Sequence, residues 1–380
     1  MDFTVPDEYR MLQMTVRRFV QEELMPLEKE NYELVPPEVV DALQAKLRAL
    51  GLWALEVPKE LGGADFTSLG MAYVMEERHK CILQDGGDTI FGGNAEPILL
   101  ACADDDYQRE NYLLPVIRGE KRPSFAQTEP NWGSDPASME TLAVLQGENY
   151  IINGTKIFIG RARRADFFLL LAKTDRTKGR AGVTCFLVDR DAPGFKIVRE
   201  IPMMDGQRPC ELSLEDCIVP VKNRIGQEGE GFTLGQRNLG RGRMRFGPAA
   251  LGRSERALEM AVRYSKQRVT FGAPIATRQA IQWMLADSAI EMDALRWMTY
   301  HGCWMADQGM DIRDTAARVK VFSSETEGRV VDRSLQIHGA IGLSKDLPLE
   351  RLYRIVRHAR IGEGTVEMMR FVVARNLLRD

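Results

Sequence analysis

From Asp7 to about Tyr32 the apolar residues recur at helical spacing, with Leu12, Val16, Phe19, Val20 and Leu24 on one face and acids and arginines elsewhere. Val35-Pro-Pro-Glu38 opens a second helix, its prolines at the N-terminal end where a missing N–H is tolerated. Gly51-Leu-Trp-Ala-Leu-Glu-Val-Pro58 reads as a compact apolar turn, and a helical pattern resumes near Thr67 to Lys80. Gly86, Gly87, Gly92 and Gly93 break that pattern, and Tyr107 to Arg118 predicts one more short helix. The first third of the chain is therefore expected to be all-helical.

The period changes near residue 122. Segments rich in β-branched and aromatic residues follow at Arg122–Thr128, Thr141–Leu145, Tyr150–Asn153, Lys156–Ile159, Phe167–Ala172, Gly182–Val188, Phe195–Val198 and Glu211–Leu214. Turn residues, Asn153-Gly154 and Ala192-Pro-Gly194 among them, separate these segments at short intervals. They predict an antiparallel sheet or small barrel that closes near Pro220–Gly226. Helical spacing returns from Gly231. Ile281, Leu285, Ser288, Met292, Leu295 and Thr299 advance by alternating fours and threes, and Ala316, Val319, Ser323, Thr326, Val330 and Ile337 do much the same. Narrow apolar stripes on helices this long predict a bundle. The expected class is α+β multidomain, divided at 1–121 (helical), 122–226 (antiparallel β-barrel) and 227–380 (helical bundle).

Composition narrows the function more than the fold. With 44% hydrophobic and 28% charged residues and a formal net charge of −3, the chain reads as a globular protein without a bulk attraction to nucleic acid or anionic membranes. Six scattered cysteines without a CxxC pair indicate reduced thiols rather than a disulfide framework or zinc site. The acidic N-terminus, Met1 to Glu8, lacks an apolar signal-peptide core, and no apolar run approaches a membrane span. The expected location is the cytoplasm, or an organelle matrix if a targeting segment has been removed. Phosphate-loop, H-E-x-x-H and G-x-S-x-G motifs are absent, and the four histidines are far apart in sequence and do not form ligand spacing.

Five clusters carry candidate chemistry. In Arg360-Ile-Gly-Glu-Gly-Thr-Val-Glu367 a carboxylate, Glu363, sits between two glycines, and Thr365 is placed to cap the helix that follows. This is a base on a turn against a cofactor, or simply a helix cap with a solvent-facing Glu. Phe125-Ala-Gln-Thr-Glu-Pro-Asn-Trp-Gly-Ser-Asp135 offers backbone amides and hydroxyls to the polar edge of a heterocycle, or is an ordinary β-turn. In Lys156-Ile-Phe-Ile-Gly160, Phe158 either walls a ring system or belongs to the core. Arg268-Val-Thr-Phe-Gly-Ala-Pro-Ile, with Gln279 beyond it, could grip a pyrophosphate or form a helix–turn–helix corner. Gln336-Ile-His-Gly-Ala-Ile-Gly342 could meet an adenine or be a glycine C-cap.

In this order and register, Thr128-Glu-Pro-x-x-Gly-Ser-Asp135, Arg268-x-x-Phe-Gly272, Gln336-Ile-His-Gly339 and Glu363-Gly-Thr365, preceded by Gly51-Leu-Trp and Gly62-Gly63, resemble the acyl-CoA dehydrogenase family over essentially the whole chain. The resemblance implies a helical, β-barrel, four-helix-bundle fold, a homotetramer built as a dimer of dimers, and one FAD per subunit. It places Gln127, Thr128, Ser134, Phe158, Ile159 and Gly160 at the flavin end. Arg268, Phe271, Gln279, Gln336, Gly339 and Ala340 would meet the ADP half of FAD in a neighbouring subunit's site, and Thr365 and Glu367 would approach it from the base's own loop. Leu239-Gly-x-x-Arg243, with Ser134 and Gly364, would contact acyl-CoA. Glu363 would take the α-proton of an acyl-CoA thioester, FAD would take the β-hydride, and an electron-transfer flavoprotein would accept the electrons.

Some members of the family carry the base one residue before the arginine matched by Arg243, a position held here by Gly242. Glycine cannot serve, which favours Glu363. Three positions depart from the common pattern: Trp132 replaces a small residue, Gly160 a hydroxyl residue and Ala340 a glycine. Arg161, Arg163 and Arg164 form a basic knot, read either as a solvated face or as a reader of CoA phosphate or an anionic acyl tail. The alternatives are an oxidase on the same fold that passes electrons to oxygen, and a non-catalytic member acting as an assembly subunit.

Overall fold

Alternating stretches of period 3.6 and period 2 become helices and strands close to where the pattern puts them. The computed structural model describes residues 5–32, 34–83 and 90–378. Gly86 and Gly87 lie outside the described residues, as do the first four residues of the acidic N-terminus. The early helices are α1 (Asp7–Phe19), α2 (Pro37–Ala49), α3 (Ser68–Arg78), α4 (Pro97–Leu100), α5 (Asp106–Gln108) and α6 (Leu114–Arg118). The strands are β1 (Pro123–Ala126), β2 (Leu142–Gln146), β3 (Asn149–Ile159), β4 (Phe167–Lys173), β5 (Val183–Asp189), β6 (Phe195–Glu200), β7 (Cys210–Pro220) and β8 (Arg224–Ile225), with a small hairpin of β9 (Val269–Thr270) and β10 (Ala273–Pro274). The late helices are α7 (Gly231–Gln267), α8 (Gln279–Asp307), α9 (Arg313–His338), α10 (Leu349–His358) and α11 (Val366–Leu377).

Three local expectations are corrected. The helix expected over Tyr107–Arg118 is interrupted by a π turn at Arg109–Leu113. Pro115 follows that turn and has no N–H to continue a regular ladder. Asn153-Gly154 does not separate two strands but lies inside β3 opposite a bulge on β7, where the step from Ile152 to Gly154 faces the longer step from Cys217 to Leu214. Gly154 has φ +155°, and a Cβ there would overlap Thr141. The sheet is also mixed rather than antiparallel, because β1 and β2 both run parallel to β4.

The chain folds into two compact units. One comprises Glu33–Phe66 and Gln84–Leu239, the other Met1–Tyr32, Thr67–Leu83 and Gly240–Asp380. The first is built on the sheet, in the order β6-β7-β3-β2-β4-β5-β8 with β1 beside β4. The unbroken apolar run Phe167–Ala172 arises because both faces of β4 are covered. Phe167, Leu169 and Leu171 pack with Ile98, Leu99, Tyr112 and Val116 from the short helices. Phe168, Leu170 and Ala172 face the opposite way, toward Tyr150, Ile152, Leu212 and Val219.

The second unit is helical. α9 lies inside it: Ala316, Val319 and Val330 are buried as expected, but so are Lys320, Ser323, Ser324, Glu327 and Ser334. The buried hydroxyls of Ser324 and Ser334 donate to carbonyls one turn back, at Lys320 and Val330. Glu327 meets the Arg253 guanidinium at 2.8 Å. Along α8 the buried face runs through Ser288, Met292, Leu295 and Thr299. All six cysteines are buried thiols. Among the described residues no helix is long and apolar enough to cross a membrane.

Candidate active site

The helical unit holds Glu363 on a short loop between α10 and α11. The Ile361 and Gly362 N–H groups both donate to the His358 carbonyl, and Val366 N–H closes the loop onto Arg360. The Thr365 hydroxyl accepts from Met368 N–H at 3.3 Å, so it caps α11 as its sequence position predicts. Glu363 itself has φ +54° and Gly364 φ +101°. A non-glycine residue in the left-handed region costs ~1–3 kcal/mol and persists where its surroundings hold it there.

Two cations hold this loop from the protein side. Arg243 Nε donates to the Glu363 carbonyl at 3.1 Å, and Lys320 Nζ to the Gly364 carbonyl at 2.7 Å. The Glu363 carboxylate lies over Gly242, where any Cβ would overlap its Oε2. The glycine excluded as a base on chemical grounds is thus a glycine on steric grounds as well. Burial presses the Arg243 guanidinium below its ordinary pKa, and Glu363 acts in the opposite sense. At the start of α11 the Glu367 carboxyl is held below the usual range by its own backbone N–H and by the Thr365 hydroxyl.

Arg268, Gln336, Gly339 and Ala340 come together in the same unit, lining a pocket of about 410 Å³ with Tyr264 and Thr270. Gly339 has φ +61°. Ala340 is not among the residues with positive φ, so the methyl that replaces a glycine there is unstrained. Phe271 and Gln279 are not in that pocket. Phe271 forms the tip of the β9–β10 hairpin with φ +50° and is 99% exposed. Gln279 is the exposed first residue of α8.

The sheet unit carries the remaining candidates. Gln127 is buried, Thr128 half-buried and Ser134 exposed on the segment that leaves β1. Ile157 N–H donates to the Thr128 carbonyl and ties this segment to β3. Phe158, at φ +55°, stands 52% exposed, whereas Ile159 is buried. A Cβ at Gly160 would meet nothing within 4 Å, so the missing hydroxyl leaves open space. Trp132 closes a tight turn with Glu129 through paired backbone bonds, and its buried Nε1 lacks a partner. Leu239 is half-buried on α7. In the basic knot, Arg161 pairs with Glu96 at 3.1 Å and Arg163 with Glu200 at 3.2 Å, which gives both cations structural partners.

Two buried lysines were missed by the sequence reading. Lys156 Nζ donates to Glu129 Oε1 at 2.8 Å and to the Gln127 carbonyl at 3.1 Å. Glu129 also accepts the N–H groups of Glu140 and Thr141. Burial pushes Lys156 down to about 8, with Glu129 opposing. Burial works against the Glu129 carboxylate too, but Lys156 and the N–H donors outweigh it and hold the group below its ordinary value. Strand alternation from Tyr150 and Ile152 points Lys156 inward, a signal that could have found it. Lys320 likewise falls on the face of Ala316 and Val319.

The family comparisons agree along the chain. Residues 6–120 match the acyl-CoA dehydrogenase N-terminal domain, 124–217 its middle domain and 229–378 its C-terminal domain. The short-chain specific acyl-CoA dehydrogenase of Clostridium acetobutylicum is 34% identical over 387 residues, covering 100% of both chains. The butyryl-CoA dehydrogenase structure from Megasphaera elsdenii is 31% identical and covers 100% of both chains at a TM-score of 0.90. A chain solved in work on the electron transferring flavoprotein of Acidaminococcus fermentans and flavin-based electron bifurcation is 34% identical, with 100% of both chains covered at a TM-score of 0.91. With all three domains matched and the fold shared end to end, this chain belongs to the acyl-CoA dehydrogenase family.

Proposed function

We propose that the chain is an FAD-dependent acyl-CoA dehydrogenase in which Glu363 is the base. The observation that carries the assignment is the Glu363 carboxylate lying over Gly242 on a loop whose two consecutive carbonyls are held by Arg243 and Lys320. The residues present fit the cofactor. The sheet unit offers an exposed aromatic at Phe158, open space at Gly160 and hydroxyls at Thr128 and Ser134, which suit a flat ring with polar edges. The helical unit offers Arg268, Gln336 and the Gly339 backbone around one pocket, which suits a pyrophosphate and adenine.

FAD, when bound, supplies the acceptor for a hydride equivalent from the β-carbon. The Glu363 carboxylate takes the α-proton, and the product is a trans-2-enoyl thioester. Arg243 and Lys320 hold the loop through its backbone oxygens, at Glu363 and Gly364. Leu239, Arg243, Ser134 and Gly364 are assigned to the acyl-CoA. Gln127, Ile159, Phe271, Gln279, Ala340, Thr365 and Glu367 complete the FAD contacts. The neighbour from the electron transferring flavoprotein work supports an electron-transfer flavoprotein as acceptor. The buried thiols support a reducing compartment such as the cytoplasm. The domain limits 1–121, 122–226 and 227–380 are supported by the extents of the three family matches.

Anaerobic mixing of the yellow protein with a panel of acyl-CoAs tests the reading. At least one thioester is expected to bleach the flavin band, and failure of every one sinks it. Peroxide formed at the rate of turnover would point to the oxidase instead.

We assign a homotetramer as the working form. On α8, Trp283, Ile290, Trp297 and Trp304 recur every seventh residue at 61%, 66%, 53% and 45% exposure. Such an apolar stripe calls for a covering partner, and a second copy of the same helix suits it. The double variant Ile290→Lys/Trp297→Lys is expected to sediment as a smaller species than the wild type. A wild-type protein that already sediments as a monomer refutes the assignment.

A further inference from the structure

We propose that Lys320 is the positioning residue of the base loop, holding the Gly364 peptide from inside the helical unit and biasing Glu363 toward its ionised form. This rests on reading Glu363 as the base. Lys320 sits on α9 with its side chain wholly excluded from solvent. A buried ammonium ordinarily takes a carboxylate partner. Among the described residues, the hydrogen-bond acceptor of Lys320 Nζ is instead a peptide carbonyl, that of Gly364, at 2.7 Å. Its other close neighbour is the face of Phe246 on α7, with the ring centroid 5.1 Å away.

Geometry and electrostatics converge on that one loop. Glu363 and Gly364 both have positive φ, a conformation that needs external support. The two carbonyls that follow these dihedrals accept from two different cations, Arg243 of α7 and Lys320 of α9. Hydrogen bonds from charged donors are stronger than neutral ones and offset the cost of such a conformation. The charged groups that face Lys320 are Glu363 on the loop, Arg243 on α7, Glu327 on its own helix and Glu367 on α11. Burial and Arg243 press its pKa down to about 8 while the three carboxylates oppose them. Lys320 therefore remains mostly cationic at neutral pH, and its attraction to the Glu363 carboxylate favours the ionised base.

The test compares Lys320→Met, which removes donor and charge, with Lys320→Gln, which keeps an N–H donor, both as FAD-loaded proteins. Lys320→Met is expected to speed hydrogen exchange of the peptide spanning residues 359–366 without changing exchange in the sheet unit. Its kcat is expected to fall about tenfold to a hundredfold, the effect of a misplaced catalytic group, with KM for acyl-CoA unchanged. In both variants the acid limb of the kcat–pH profile moves to higher pH, because a carboxylate that loses a nearby cation is harder to ionise. Wild-type loop exchange in Lys320→Met, or an unmoved acid limb, overturns the proposal. If Lys320→Met does not fold, the acid limb of Lys320→Gln decides alone. If wild-type protein turns over no thioester, the dehydrogenase reading fails by itself and the loop exchange still judges Lys320.

Discussion

Glu363→Gln is expected to leave a yellow, folded protein that no acyl-CoA bleaches. Removing a positioned general base costs about 10²–10⁴-fold in rate, and proton abstraction from a carbon this weakly acidic places the loss at the upper end. That corresponds to ~5.5 kcal/mol of transition-state stabilisation, at 1.36 kcal/mol per factor of ten. The fold is expected to survive because the structure separates the two roles of this residue. Arg243 donates to its backbone carbonyl and Lys320 to that of Gly364, so the loop keeps both anchors when the side-chain charge is lost. Glutamine also fills the same space over Gly242. Flavin absorbance, circular dichroism and single-turnover bleaching check this together, and retained bleaching refutes the assignment of the base. Gly242→Ala provides a companion test with the carboxylate intact. Its Cβ overlaps Glu363 Oε2, so the base is displaced, and a misplacement near 1 Å costs about 10²-fold.

Lys156→Met is expected to be the most destabilising single change in the sheet unit, and to release FAD. Lys156 and Glu129 are 0% and 4% exposed, so solvent screens their 2.8 Å contact little. Removing one partner from a buried pair leaves the other charge uncompensated and costs ~3–5 kcal/mol. The loss is local to the candidate flavin segment, because Lys156 also donates to the Gln127 carbonyl and Glu129 orders the N–H groups of Glu140 and Thr141. Urea unfolding monitored alongside flavin release measures both effects. The double variant Lys156→Met/Glu129→Gln is expected to recover part of the stability, since removing both charges is far cheaper than removing one. The pH dependence has a definite sign. The folded pKa of Glu129 lies below its unfolded value, so its contribution is complete above the ordinary carboxylate range and is lost as the pH falls through the depressed value. A Lys156→Met protein with wild-type stability and flavin content refutes the argument.

Much of this molecule is written locally. Spacing in the sequence marks α3 at both ends, the starts of α1 and α2 and the buried stripes of α8 and α9, because amphipathic periods and prolines act over one or two turns; the pattern expected to run to about Tyr32 leaves the α-helix after Phe19 in a π turn at Val20–Leu24. Thr365 as an N-cap and Gly242 as a non-base follow from residue identity alone. The interruption of the Tyr107–Arg118 helix was less legible, since Pro115 has a local cost but the π turn that absorbs it depends on packing. Asn153-Gly154 was read as a turn because Asn-Gly is a turn signal wherever the surrounding pairing does not override it. Only the β3–β7 register shows that it was overridden.

Linear order and residue type were enough to determine the sequence of helical, sheet and helical segments and the motifs whose resemblance to a family implied Glu363 as the candidate base, since each rests on short-range patterns. The tertiary structure alone decided what holds that base. Glu363, Arg243 and Lys320 are separated by scores of residues, and their meeting follows from how α7, α9 and the α10–α11 loop pack. It also decided which charges are buried. A lysine in a strand or helix pattern reads as solvent-facing until the face that carries it is seen to be covered, as it is at Lys156 and Lys320.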